Sequence, residues 1–159
     1  MMRCLFYYSN SRFAFSAIAA AMHLGIIPHH PPYTPSAIKE LPLRARAGGA
    51  PLFTGIDGFG NRIYALWDAG EPELINNIIG SFSEMYGIPH QRVILLDLGI
   101  KDTALSLSAY FSTKIPGAPG YEPLVTKILN RYHPIIATAV GRNNNLNLTK
   151  TASYQIMLP

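Results

Sequence analysis

The chain has 159 residues, 48% hydrophobic and only 14% charged, with a net charge of +4 at pH 7. That length fits one domain around one core, and a charged fraction below the roughly 25% usual in soluble domains means that much apolar surface must be buried, in a core or against another protein. No apolar run reaches the ~18 to 20 residues that cross a bilayer, and the scattered basic residues form no stripe for nucleic acid.

The N-terminal apolar run stops too early, at Ser9-Asn10-Ser11-Arg12, to be a secretion signal. Cys4 is the one cysteine, so it forms no intramolecular disulfide, and a cytoplasmic, reducing setting is expected.

In chain order, Arg3 to Tyr8 is short, aromatic-rich and closed by the polar cluster Ser9 to Arg12, which predicts a buried strand. Its Cys4 is assigned to packing. The alanine-rich stretch that follows predicts a helix ending at Gly25. Pro28 to Pro32 predicts an irregular connection, Thr34-Pro35 a cap and first turn of a short helix, and Leu43 to Pro51 a lid or linker. Two strands flank Gly58-Phe59-Gly60 as an antiparallel hairpin, and Glu71 to Tyr86 carries Leu74, Ile75, Ile78, Ile79, Phe82 and Met85 at helical spacing.

Arg92 to Leu98 is almost continuously apolar, the pattern of a central strand covered on both faces. Asp102 to Thr113 reads as a helix, Pro116 to Gly120 as a break, Glu122 to Tyr132 as a further helix and Ile135 to Val140 as a last strand. After Arg142 no period is visible, so one domain is expected over 1–142, with a tail over 143–159 ordered by a partner. The elements together predict an α/β domain with three layers, a partly parallel sheet and an antiparallel hairpin.

Ligands of such sheets collect at the carboxyl ends of parallel strands. The expected ends are Ser9 to Arg12, Asp97 to Asp102 and Gly141 to Asn144. A polar turn entering a helix offers backbone N–H groups and a favourable dipole to an anion, which makes Ser9, Asn10, Ser11, Arg12, Ser16 and Arg142 candidate anion-binding residues. The plain alternative is that Ser9 or Ser11 caps the helix and Arg12 points into solvent. The Walker A glycines and lysine are missing. Asp97 and Asp102 are weak candidates for proton transfer, against a buried hydrogen bond for Asp97 and a helix N-cap for Asp102.

Asp57 reads as turn chemistry and His23 as a residue favoured by the helix dipole. The five histidines lack ligand spacing, so neither metal nor cofactor is expected. Trp67 and Tyr64 read as core or interface residues.

The run Ala19 to Gly25 with Pro28, Thr34, Ile38, Leu41-Pro42, Gly55-Ile56-Asp57, Gly60-Asn61 and Tyr64 resembles an uncharacterised bacterial family of Gram-positive spore formers, domain-of-unknown-function family 3189. The resemblance covers Arg3 to Leu98 and brings no activity with it. It implies one contrast. The family's first turn is glycine-rich and enters the helix through His-Ser-Ser, whereas Ser11-Arg12 and Ala14-Phe15-Ser16 stand at those places here. Losing the glycines and the histidine removes close backbone approach and proton transfer.

The leading expectation is therefore a non-catalytic or weakly catalytic subunit that associates with a related chain, as a homo- or hetero-oligomer, with Phe13 and Phe15 at the interface. The alternative is an enzyme binding a small anionic or phosphorylated substrate at the first turn. RNA or DNA binding through Arg44, Arg46, Arg142 and the Asn-rich tail ranks last.

Overall fold

The computed structural model describes residues 2–31, 33, 49–68, 70–115 and 121–146. The expected helix from Thr34, the lid or linker before residue 49, the break at 116–120 and the tail beyond 146 lie outside the described residues. The described elements are strand β1 (Cys4–Asn10), helix α1 (Phe15–His23), strands β2 (Leu52–Ile56) and β3 (Arg62–Trp67), helix α2 (Pro72–Met85), a 3-10 turn (His90–Arg92), strand β4 (Val93–Lys101), and helices α3 (Ala104–Lys114) and α4 (Tyr121–Leu146).

The sheet order is β2-β3-β1-β4, with β1 parallel to both β3 and β4 and β2 antiparallel to β3. This is the mixed α/β sheet that the sequence predicts. Alternation along β1 divides the core in two. Leu5 and Tyr7 join Ile63, Ala65 and Trp67 under α1, α3 and α4, while Cys4, Phe6 and Tyr8 join Tyr64 and Leu66 under α2. Tyr64 and Trp67 are both buried, as expected, though on opposite faces.

Helix α1 is buried from Phe15 to Met22, which its alanines permit by letting backbone approach backbone closely. It ends in a Schellman motif: Gly25, at φ 70, donates to Met22 O, and Ile26 donates to Ala21 O. Gly25 is needed because a side chain at that φ would be strained.

Three expectations are corrected. Val93–Lys101 is a lateral edge strand and not a central one. Its apolar run reflects cover on both faces, with Ile94 and Leu96 packed under the α1 layer and Val93 and Leu95 under α2. Face cover and lateral pairing are separate properties, and apolar content reports only the first.

Ile135 to Val140 is helix. Val125, Ile128, Leu129, Tyr132, Ile136 and Val140 form one buried stripe that continues past Pro134, and the Thr138 hydroxyl donates to Pro134 O at 2.7 Å. Proline lacks the N–H and its ring crowds the preceding turn, but here burial of Ile136 and Val140 outweighs that cost. Gly141 to Asn144 is accordingly no strand end, and helix continues through Leu146, past the expected start of the tail.

Asp102 is not the cap of α3. Thr103 is, in a reciprocal capping box with Ser106. Thr103→Ala should lower stability by about 1 kcal/mol in urea denaturation, and an unchanged midpoint would show that the box contributes nothing.

Candidate functional site

The carboxyl edge of the parallel strands brings together the turn after β1, the link 102–103 after β4 and the N-termini of α1 and α3. β4 reaches this edge through a bulge. Tyr8 pairs with Asp97 and Asn10 with Lys101, so two steps along β1 face four along β4. Gly99, at φ 64, turns within the bulge and donates its N–H to Asp97 Oδ1 at 2.8 Å. Asp97 thus makes a hydrogen bond in the service of the bulge, but an exposed one where a buried one was expected.

Just beyond the bulge, Asp102 crosses to the β1–α1 turn. Its Oδ1 accepts from the Ser11 hydroxyl at 2.7 Å and from Arg12 N–H at 2.9 Å, while Ser11 Oγ accepts from Phe13 N–H at 3.2 Å. Two amides of the turn are therefore bonded from within. Ser9, Ser11 and Ser16 are buried and the Arg12 side chain is exposed. Neither Ser9 nor Ser11 caps α1, whose N-cap is Ala14, with no side-chain bond.

Phe13 and Phe15, expected on the surface, are 1% and 0% exposed. Their rings pack edge to face at 5.1 Å, and Phe15 packs on Tyr132 of α4 at 4.7 Å. The two rings expected at an interface instead fill the space between the α1 N-terminus and α4, because the area they remove from water is larger there than at a surface. Arg142 is also displaced from expectation: it sits exposed on α4 and not at the end of a strand.

Tyr8 lies at the same edge on the α2 face. Its hydroxyl donates to Gly70 O at 2.8 Å, and burial, reinforced by the charges of Asp97 and Glu71, pushes its pKa up to about 12. It does not exchange protons near neutrality. The hydroxyls of Ser9 and Ser16 are buried without a hydrogen-bond partner among the described residues.

A second polar cluster, absent from the sequence reading, joins α1 to the β2–β3 hairpin at the amino edge of the sheet. His23 Nε2 meets Asp57 Oδ2 at 3.1 Å, and Tyr7 Oη lies 2.8 Å from His23 Nδ1. Asp57 also accepts from the N–H groups of Phe59 and Asn61 and from Asn61 Nδ2, each at 2.9 Å. Asp57 therefore performs the expected turn chemistry and clamps α1 as well. The side chains of His23 and Asp57 are only 4% and 5% exposed, so the cluster is a latch without access for a substrate. Each partner comes from a different element, and no spacing along the chain announces the group.

Among the described residues no helix is long and apolar enough to cross a membrane. A profile of the family described as "Protein of unknown function (DUF3189)" matches residues 4–143. No curated protein and no solved structure matches the chain.

Burial works to raise the Asp57 carboxyl, but the hydrogen bonds from Asn61, His23 and Phe59 outweigh it and hold the pKa below the usual carboxylate value. A depressed folded pKa stabilises above the unfolded value of about 3.9, and the contribution is lost as pH falls through the folded value. Asp57→Asn should therefore lower the thermal midpoint at pH 6 to 7 and flatten the acid limb below about pH 4. Parallel acid limbs for the two proteins would refute the assignment.

Proposed function

The chain belongs to the family of proteins of unknown function DUF3189, over residues 4–143, and for this member we propose a non-catalytic or weakly catalytic α/β subunit that acts by associating with a second copy of itself or a related chain. One observation carries the reading: the turn where the parallel strands would present a ligand is closed by the protein's own groups. Asp102 occupies its donors, and Phe13 and Phe15 fill the space beside it. Ala14, where the resemblance implies a histidine, stands at the N-cap of α1 and has no group to move a proton. A cytoplasmic setting fits the buried, unpaired Cys4.

The surface that supports association is not the one built around Phe13 and Phe15. It is the corner where β2 meets the end of α2. Phe53 pairs with Tyr64 and Ile56 with Arg62, which places both side chains on the α2 face. They are 52% and 60% exposed, and at the end of α2 Met85 is 76% and Tyr86 60% exposed. A ladder of rings ties this corner to the core. Phe6 stacks on Tyr64 at 4.8 Å, Tyr64 meets Phe53 at 5.5 Å and Phe82 at 5.1 Å, and Phe82 meets Tyr86 at 4.6 Å. Exposed rings braced by buried ones give up little freedom on binding, which is the property of interface anchors.

A small-molecule enzyme acting on an anionic substrate at Ser9, Asn10, Ser11, Arg12 and Ser16 is the second reading. The buried, unpartnered hydroxyls of Ser9 and Ser16 favour it. The carboxylate already seated in the turn counts against it.

Light scattering on a sizing column should give more than the monomer mass of 17.5 kDa at micromolar concentration. Phe53→Asp with Tyr86→Glu should return the monomer while leaving the circular dichroism unchanged. A wild-type monomer at all concentrations, together with failure to bind a related chain, would remove this reading.

A further inference from the structure

We infer that the β1–α1 turn is an oxyanion seat whose resting occupant is the chain's own Asp102 carboxylate, so that an external phosphate-class group enters only when that carboxylate withdraws. The inference rests on the closed turn of the preceding section and says what closes it and what would open it.

The donors are arranged as an anion requires. The Ser11 hydroxyl and Arg12 N–H converge on one oxygen, at 2.7 and 2.9 Å. Behind them α1, nine residues long, has no capping side chain and no acidic residue in its first turn. The positive end of its dipole therefore has no counter-charge from its own segment, and receives one from 90 residues along the chain. Ser9, near the end of β1, and Ser16, in the first turn of α1, have hydroxyls fully buried without a partner among the described residues. A buried hydroxyl lacking an acceptor is costly, and a tetrahedral oxyanion carries more acceptor oxygens than the carboxylate now in place. Two exposed cations stand at the rim, Arg12 and Lys101, the latter paired with Asn10; the acids Asp97, engaged by Gly99, and Glu71 both act on Tyr8 at the same edge.

Withdrawal of Asp102 leaves its neighbours intact. It lies in the short link between β4 and α3, and α3 is capped independently by Thr103 and Ser106. An incoming anion therefore competes with one side chain and does not have to unfold a helix.

The test is titration of wild type, Asp102→Ala and Asp102→Asn with sodium phosphate, against sodium chloride at matched ionic strength, following the thermal midpoint. The wild-type midpoint should follow ionic strength alone. Asp102→Ala should gain a saturable, phosphate-specific rise, with an affinity at least about tenfold above wild type because a like charge has gone. Adding Ser16→Ala to Asp102→Ala should weaken it again. A folded Asp102→Ala that ignores phosphate, or a wild type that binds as tightly as the variant, overturns the inference. If the alanine variant does not fold, Asp102→Asn keeps the shape without the charge and is read in the same way. Oligomeric mass is measured separately, so phosphate binding gained by a strictly monomeric protein would sink the association reading and leave this one standing.

Discussion

Strand β1 is enclosed on four sides, and the rest of the structure follows from that enclosure. It has parallel neighbours on both lateral edges and helices against both faces, so every residue from Cys4 to Ser9 is buried. A strand so placed must be apolar on both faces, and its exit must turn directly into a helix that is itself covered. The polar atoms of that exit then have to be satisfied inside the protein, since an unmet buried donor costs about 1–3 kcal/mol.

Two carboxylates hold the two ends of α1, and one of them, Asp102, serves the exit of β1. Asp102 reaches the N-terminal side and engages Ser11 and Arg12, whereas Asp57 reaches the C-terminal side and engages His23, itself in contact with Tyr7. Each connects segments far apart in sequence, so each closes a large loop and contributes to holding α1 on the sheet. The two differ in what surrounds them. Asp57 is enclosed and bonded on several sides, while Asp102 sits in an exposed link beside donors that a different anion would also satisfy. That difference separates a structural latch from the seat inferred at the β1–α1 turn.

The two sheet faces also differ. The α1 face is deeply covered by α1, α3 and α4, whereas the described residues place one helix, α2, on the other. That single helix leaves Phe53 and Ile56 of the edge strand β2 exposed, as are Met85 and Tyr86 at its own end. The β2–α2 corner is thus one place where large apolar side chains remain exposed. Phe13 and Phe15, beside the first turn, are core.

What the sequence determined by itself was local: the first strand and its alanine-rich helix, the hairpin around Gly58 to Gly60, the amphipathic α2, and the carboxyl-edge position of Ser9 to Arg12 and Asp97 to Asp102. These depend on periodicity, capping and turn residues, which act within a few positions. Tertiary structure alone decided that β4 lies at an edge, that Ile135 to Val140 stays helical through Pro134, and that Asp102 binds the turn of β1 and not its own helix. The physical reason is common to all three: lateral pairing, the burial that outweighs a proline and the partner of a carboxylate are set by groups remote in the chain, and local propensity carries no record of them.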